Sequence, residues 1–103
     1  MKEELSRLER LIGIEAVEVL KTKKVIVFGV GGVGGYVCDS LARCGIGQID
    51  IVDNDKVSLS NINRQIIALH STVDRDKVDV MKERMVDINP DVTVNTYKIF
   101  FTP

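Results

Sequence analysis

The chain has 103 residues, of which 45% are hydrophobic, and its 14 Lys and Arg against 15 Asp and Glu give a formal net charge of −1. This length suits one modest domain and excludes two, and the interspersed charges argue against a module that binds nucleic acid through a basic stripe. The two cysteines form no CxxC pair, and there is no apolar signal-peptide core or membrane segment, so a cytoplasmic protein is expected.

The first part of the chain, residues 1–22, is predicted to form a helical arm. Its apolar residues recur at roughly helical spacing with charges between them, and Gly13 is expected to split the arm into two short helices. The members of this series are Leu5, Leu8, Leu11, Ile12, Ala16, Val19 and Leu20. A basic break at 21–24 ends the arm, so residues 23–103 are assigned to a second unit.

Residues 25–30, VIVFGV, are predicted to form a strand. The segment is apolar and β-branched without alternation, which is typical of a central parallel strand covered by helices on both faces. A glycine-rich turn follows and leads into a helix over 33–44, where the spacing of Val37, Leu41 and Cys44 predicts the buried face.

A second strand over 48–55 and a third over 92–101 complete the predicted sheet. Asp74 is expected to cap the helix between them, which ends at Asn89 and Pro90. The apolar face of that helix is predicted to comprise Val78, Met81, Met85 and Ile88. The fold class is therefore α/β, a Rossmann-like parallel sheet in β-α-β-α-β order with an N-terminal helical arm.

A sheet of strand order 3-2-1 leaves strand 25–30 with an unpaired edge, although its composition favours neighbours on both sides. The usual doubly wound fold supplies a fourth strand there. We therefore expect residues 23–103 to be the N-terminal part of a domain that is completed by a longer protein or by another chain.

The glycine turn after the first strand matches the GxGxxG motif through Gly29, Gly31 and Gly34, with Gly32 in the same turn. The three motif glycines permit a tight turn, the approach of a phosphate to the backbone, and close packing of helix and strand. Asp53 lies about 20 residues further on, where a carboxylate accepts ribose hydroxyls. The motif predicts a nucleotide site but does not choose among NAD, FAD and an adenylate, and a turn that binds nothing is the alternative.

A dense polar loop distinguishes this chain from an ordinary dinucleotide-binding domain. Asn61, Asn63, Arg64 and Gln65 crowd together after the second strand, and Lys77 falls at the start of the next helix. A lysine there opposes the helix dipole, whereas a bound polyphosphate would reverse that effect. Both cations can neutralise phosphate oxygens, and a solvated loop with a surface lysine is the alternative.

These motifs together carry a family resemblance. GVGGVG, then GIGQIDIVDNDKVSLSNINRQ, then Arg75-Asp76-Lys77-Val78 and DINPDV resemble the ubiquitin-activating-like adenylating enzymes, which include the sulfur-carrier adenylyltransferases of molybdopterin and thiamine biosynthesis. Within that superfamily, SNINRQIIAL, MKERMVDINP and Arg7-x-x-x-Leu-Ile-Gly are most similar to the tRNA threonylcarbamoyladenosine dehydratase branch. The resemblance extends from Arg7 to about Val94.

The resemblance implies a role for each matching residue, with ATP and Mg²⁺ as the cofactors. The turn for phosphate and adenosine would comprise Gly29, Gly31, Gly32 and Gly34, with Asp53 as the ribose ligand. The triphosphate would be surrounded by Asn61, Arg64 and Lys77, with Gln65 and Asp55 as weaker nucleotide-site candidates. Arg7 would be the arginine that reaches the phosphates of the partner subunit in a homodimer. Asp55 would support magnesium or the Arg64 loop, with a solvated turn residue as its alternative.

The resemblance also implies where this chain departs from its family. Asp74 stands where the family often has glycine, and the main carboxylate ligand of magnesium is expected beyond residue 103, so no metal ligand is assigned within 1–103 and the chain alone is expected to be inactive. The implied substrate is the modified adenosine of a tRNA, or the C-terminal glycine of a small ubiquitin-like sulfur-carrier protein in the other branch. An NAD(P)- or FAD-binding domain, and a non-catalytic nucleotide-binding or dimerisation fragment, remain alternatives.

Overall fold

The structure, a computed structural model, describes residues 3–100. In chain order its elements are α1 (Ser6–Ile12), α2 (Ile14–Leu20), β1 (Lys24–Phe28), α3 (Gly32–Arg43), β2 (Gln48–Val52), two short 3-10 helices (Leu59–Asn61 and His70–Thr72), α4 (Lys77–Ile88) and β3 (Thr93–Tyr97). All three strands are parallel and hydrogen-bonded in the order β1-β2-β3, which confirms the predicted Rossmann-like sheet. The third strand ends at Tyr97, whereas the sequence predicted an end at 101, a residue outside the described part of the chain.

Within residues 3–100 β1 pairs only with β2 and forms the edge of the sheet, which is the unpaired edge expected for strand order 3-2-1. That this strand has neighbours on both sides stays a prediction. One face of β1 contributes Val27 to the core, whereas Ile26 and Phe28 on the other face are 52% and 60% exposed. The connection from β1 to β2 through α3 and the one from β2 to β3 through α4 step across the sheet in the same direction. Because such parallel connections are right-handed, α3 and α4 lie on the same face of the sheet. One face of this apolar strand is therefore uncovered within residues 3–100, and the cover expected for it stays a prediction.

Helix α3 buries a different face from the one predicted. Gly35, Cys38 and Ala42 are buried, Leu41 is partly buried against the core, and Val37 is 40% exposed. The small residues face inward because the helix lies very close to the turn that precedes it. Burial also raises the pKa of the Cys38 thiol to about 11, which suits a small core residue and not a nucleophile.

Helix α4 agrees with its predicted apolar face. Val78, Met81 and Met85 are fully buried, and Ile88 packs against the same core before the helix ends at Asn89. Within residues 3–100 no helix is long and apolar enough to span a membrane.

On the uncovered face of the sheet, Asp50 of β2 is buried within a polar cluster. Its Oδ1 accepts hydrogen bonds from Gln48 Nε2 at 3.1 Å and Asn95 Nδ2 at 3.0 Å, and Lys24 Nζ lies 3.4 Å from Oδ2. The hydrogen bond from Gln48 is the main cause that holds the pKa of Asp50 below its ordinary value, with Asn95 and Lys24 adding to it and burial opposing it.

Acidification is therefore expected to destabilise the protein in part through Asp50. A carboxylate whose folded pKa is lowered contributes its full stabilisation above its unfolded pKa of about 3.9 and loses it as the pH falls through the folded value. Unfolding in urea at pH 7 and at pH 3 to 4 should show a larger loss of stability for the wild type than for Asp50→Asn. Equal losses in the two proteins would contradict this role.

Candidate functional site

The glycine turn lies where the carboxyl ends of β1 and β2 meet. Gly29 has a φ of 86°, in the region that favours glycine, and its N–H donates to the Val52 carbonyl at 2.8 Å. Helix α3 begins at Gly32, so the motif is a strand, a tight turn and a helix N-terminus as predicted. The first amides of α3 have no intrahelical acceptor and are available to an anion.

Close packing at the third motif glycine is very tight. A Cβ added at Gly34 would lie 1.7 Å from the Gly29 carbonyl oxygen, which no side chain can tolerate without movement of the backbone. The role predicted for this glycine, close approach of helix and strand, is confirmed by this contact.

Asp53 follows β2 directly and is only 7% exposed. Its Oδ2 accepts the N–H of Val30 at 3.0 Å, and its Oδ1 accepts the N–H of Asp55 at 2.8 Å. The carboxylate therefore braces the glycine turn, a role that the sequence did not indicate. Each oxygen keeps further acceptor capacity, so the predicted interaction with a ribose remains available.

The second motif glycine lies against a protein side chain. The carboxamide of Gln65 is 2.8 to 2.9 Å from the position that a Cβ would take on Gly31. Gln65 Oε1 is buried and has no hydrogen-bond partner in the part of the chain that the structure describes. The space over Gly31 is thus filled by Gln65, which gives glycine a packing role here, and the approach of a phosphate to this backbone stays a prediction.

Gly31→Ala is expected to destabilise the protein by about 1 kcal/mol or less, because the added Cβ meets the far end of the flexible Gln65 side chain, which can move aside. Gly31 has a φ of −83°, which alanine adopts freely, so the clash is the only penalty at this position. The double variant Gly31→Ala, Gln65→Ala should recover much of the loss in urea unfolding. Additive single-variant effects would contradict the contact.

The polar loop is held mainly by its own hydrogen bonds. Asn61 is buried, and its Oδ1 accepts the N–H of Ser58 at 3.0 Å, which fixes the first 3-10 helix. Arg64 is exposed, and its Nη1 donates to the Ser60 carbonyl at 2.9 Å and to Asn63 Oδ1 at 3.0 Å. These two acceptors are neutral, so they do not offset the positive charge of the guanidinium. Its other N–H groups can still donate to a ligand.

Lys77 is the first residue of α4, and it is only 6% exposed. Its N–H donates to the Asp55 carbonyl at 3.0 Å, which ties the start of α4 to the end of β2. Among residues 3–100, its ammonium has no carboxylate within ion-pair distance, although Asp76 and Asp79 are close to it in sequence. Both of those carboxylates bind Lys98 instead, at 3.1 and 2.8 Å from its Nζ.

A cavity of about 320 Å³ lies at this end of the sheet, lined by Gly29, Asp53, Asn54, Asp55 and Phe100. It brings three predicted site residues together, and Phe100 is an addition that nothing in the sequence singled out. A larger hollow, about 660 Å³, lies along α4 beside Arg75 and Glu83 and contains none of the predicted residues. The chemistry of the lining, and not the volume, therefore identifies the candidate site.

Two predicted features stay untested by the geometry of a single chain. Arg7 is exposed on α1, which packs mainly on α2, so its reach across a dimer remains a prediction. Within residues 3–100 no group of three or more His, Cys, Asp or Glu side chains is arranged to hold a metal ion.

Comparison with known proteins decides the family, because the model of the ThiF family matches residues 5–103. The chain belongs to the ThiF family. It is 50% identical over 102 residues to tRNA threonylcarbamoyladenosine dehydratase of Bacillus subtilis, a match that covers 99% of this chain and 40% of the relative. It is also 40% identical over 98 residues to ubiquitin-like modifier-activating enzyme 5 of Bombyx mori, covering 95% of this chain and 25% of that protein.

A solved structure agrees with this ThiF-family membership. The crystal structure of the E. coli tRNA N6-threonylcarbamoyladenosine dehydratase in complex with ATP superposes on this chain with a TM-score of 0.96 and 39% sequence identity, covering 99% of this chain and 42% of that one. The resemblance read from the sequence is thus confirmed for the superfamily and for similarity to the dehydratase branch. The chain spans about two fifths of the length of these dehydratases.

Asp74 is not the helix cap that we predicted. The helix begins at Lys77 with Asp76 as the preceding residue, and Asp74 has a φ of 71° while its N–H donates to the Val57 carbonyl at 2.8 Å. Glycine suits such a backbone without cost, and aspartate is one of the few other residues that tolerate it.

At position 74, the backbone and not the charge is expected to govern stability. Asp74→Val should destabilise the protein by about 1 to 2 kcal/mol, because a β-branched residue is strained at positive φ. Asp74→Gly and the charge-removing control Asp74→Asn should unfold close to the wild type in urea. A loss in Asp74→Asn as large as that in Asp74→Val would contradict the backbone explanation.

Proposed function

We propose that this chain is the ATP-binding part of an adenylating enzyme of the tRNA threonylcarbamoyladenosine dehydratase type. The observation that carries the proposal is Lys77, which is 6% exposed and has no carboxylate within ion-pair distance among residues 3–100. Its backbone N–H donates to Asp55, whose own N–H donates to the Asp53 carboxylate that braces the glycine turn. The helix dipole opposes a cation at a helix N-terminus, and a bound anion would reverse that effect. The match to a dehydratase crystallised with ATP supports a nucleoside triphosphate as that anion.

The proposed reaction activates a carboxylate. The carboxylate oxygen attacks the α-phosphorus of ATP, the bond to the bridging oxygen breaks, and pyrophosphate leaves, which gives an acyl-adenylate open to a nucleophile. The residues of this chain act by positioning and by neutralising charge. Backbone N–H groups of residues 31–34 hold the phosphates, and Asp53 orients the ribose. Arg64 and Lys77 offset the charge of the triphosphate, with Asn61 and Gln65 shaping the loop.

Magnesium is the cofactor that the family resemblance implies. When bound, it would neutralise phosphate charge. Within residues 3–100 the side chains do not form a site for it, because no group of three or more His, Cys, Asp or Glu residues is arranged to hold a metal ion. No step of the proposed reaction is therefore derived through the metal.

The substrate, partners and location belong to the same proposal. The 50% identity to the Bacillus subtilis dehydratase favours the carboxylate of threonylcarbamoyladenosine in a tRNA, with an internal nucleophile that gives a cyclised product. A tRNA substrate also favours a cytoplasmic location. The sulfur-carrier alternative would place the C-terminal glycine of a small protein at the same position.

The division into an arm (1–22) and a nucleotide-binding unit (23–103) is also proposed. The arm packs through Leu5 and Val17, both buried, and the Leu5 side chain lies 3.1 Å from the position that a Cβ would take on Gly45, beyond the end of α3. This anchoring leaves Arg7 exposed, as an arginine directed at the phosphates of a second subunit in a homodimer requires.

Calorimetric titration with magnesium-ATP and with NAD tests the nucleotide. The chain is expected to bind ATP and to show little heat with NAD, whereas a clear preference for NAD would contradict the proposal and support a nicotinamide-binding domain. Exchange of labelled pyrophosphate into ATP by this chain alone would exclude a non-catalytic module.

A further inference from the structure

Lys98 occupies an unusual place between two elements. It follows β3 directly, and its Nζ lies 3.1 Å from Asp76 Oδ2 and 2.8 Å from Asp79 Oδ2. These two carboxylates belong to the start of α4, one on each side of Lys77 in the sequence. A single ammonium thus binds both acidic groups that are nearest to Lys77 along the chain.

Lys98 balances the charges on either side of Lys77. Arg75, which also interacts with Asp79, is instead paired with Glu83. Asp76 and Asp79 contribute −2, and Lys77 and Lys98 contribute +2, so the four groups sum to zero. Without Lys98 the sum is −1 at a place where a triphosphate is proposed to bind. Negative side chains are stabilised at the N-terminus of a helix, so the freed carboxylates would stay close to Lys77. They would then pair with Lys77 or repel the phosphates.

We propose that Lys98 is a positioning residue for the nucleotide site, which binds Asp76 and Asp79 and so keeps the ammonium of Lys77 available for phosphate. This inference rests on the proposed function. It assigns to Lys98 no contact with the ligand: the residue acts through the two carboxylates.

A purely structural role for Lys98 makes a different prediction. The side chains of Lys98 and Asp79 are 50% and 40% exposed, and such surface ion pairs contribute little to folding stability. The raised pKa of Lys98, caused first by its bond to Asp79 and then by Asp76, is consistent with these pairs persisting at neutral pH. Folding and ligand binding can therefore be separated by experiment.

The test measures the dissociation constants of magnesium-ATP, inorganic tripolyphosphate and adenosine by calorimetry. Lys98→Met is expected to weaken ATP and tripolyphosphate by about three- to tenfold and to leave adenosine unchanged, with a smaller effect at high ionic strength because the interaction is electrostatic. Lys98→Arg should retain wild-type affinity, since its guanidinium can bind the same two carboxylates.

Removal of the two carboxylates provides the deciding control. In the Asp76→Asn, Asp79→Asn background, Lys98→Met should have no effect on ATP or tripolyphosphate binding. If Lys98→Met alone fails to fold, this comparison can still be made, because the background removes Asp76 and Asp79, the two acids that Lys98→Met would leave unpaired. An undiminished loss in that background, or an equal loss for adenosine, would overturn the role of Lys98.

Failure of this inference is distinguishable from failure of the proposed function. If the wild type binds ATP and Lys98→Met binds it equally well, the positioning role alone is wrong. If the wild type does not bind ATP, both the proposed function and the role of Lys98 are overturned.

Discussion

Lys77→Ala is expected to weaken the binding of magnesium-ATP by about 10- to 100-fold while adenosine binding changes little. Lys77 is buried at the start of α4 with no carboxylate partner among residues 3–100, so its charge is available to phosphate alone. A hydrogen bond to a charged group contributes about 1.5 to 3 kcal/mol, which corresponds to this loss. Calorimetry with both ligands provides the measurement.

The matched control for this prediction is Lys82→Ala, which removes the same charge from the exposed side of the same helix. It should bind ATP like the wild type. Arg64→Ala should follow Lys77→Ala in losing ATP more than adenosine, because within residues 3–100 its guanidinium is held only by the neutral oxygens of Ser60 and Asn63. Equal losses for the two ligands in either site variant would contradict a role at the phosphates.

Gly34→Ala is expected to destabilise the protein by about 3 kcal/mol or more, or to prevent folding. The added Cβ would lie 1.7 Å from the Gly29 carbonyl oxygen, so either the turn or the helix must move. Backbone on both sides of the contact leaves no flexible side chain to give way. Urea unfolding followed by circular dichroism measures the effect.

Gly32→Ala is the control for that clash. Its Cβ would meet nothing within 4 Å, and its cost is limited to the strain of a φ of 42°, about 1 to 2 kcal/mol. The two variants lie in the same turn and add the same atom, so their difference isolates the close contact. A cost for Gly34→Ala no larger than that for Gly32→Ala would mean that α3 is not held against Gly29 in this way.

Patterns that depend on neighbours along the chain were predictable. The 3.6-residue period of α4 identified Val78, Met81 and Met85 as its buried face, and all three are buried. The glycine spacing after β1 predicted a tight turn at a helix N-terminus, and the structure has it. Both features are local, so the sequence contains all the information that they require.

The buried face of α3 shows why another prediction failed. Large apolar residues were expected to face inward, yet Val37 is exposed and Cys38 is buried. The distance between a helix and the turn beneath it depends on which residues lack a Cβ, and here Gly34 and Gly35 bring the helix so close that only small side chains fit. The hydrophobicity of the residues does not by itself determine the distance between the helix and the turn.

The sequence by itself determined a parallel α/β sheet with a glycine turn, an acid after the second strand, and a set of polar residues that resemble the ThiF family. Only the tertiary structure decided that α3 buries Cys38 and Ala42, that Gln65 fills the space over Gly31, and that Lys98 binds the two acids beside Lys77. The physical reason is the same in each case. These contacts join residues far apart in the chain, and their partners are chosen by packing and charge in three dimensions, which no local period encodes.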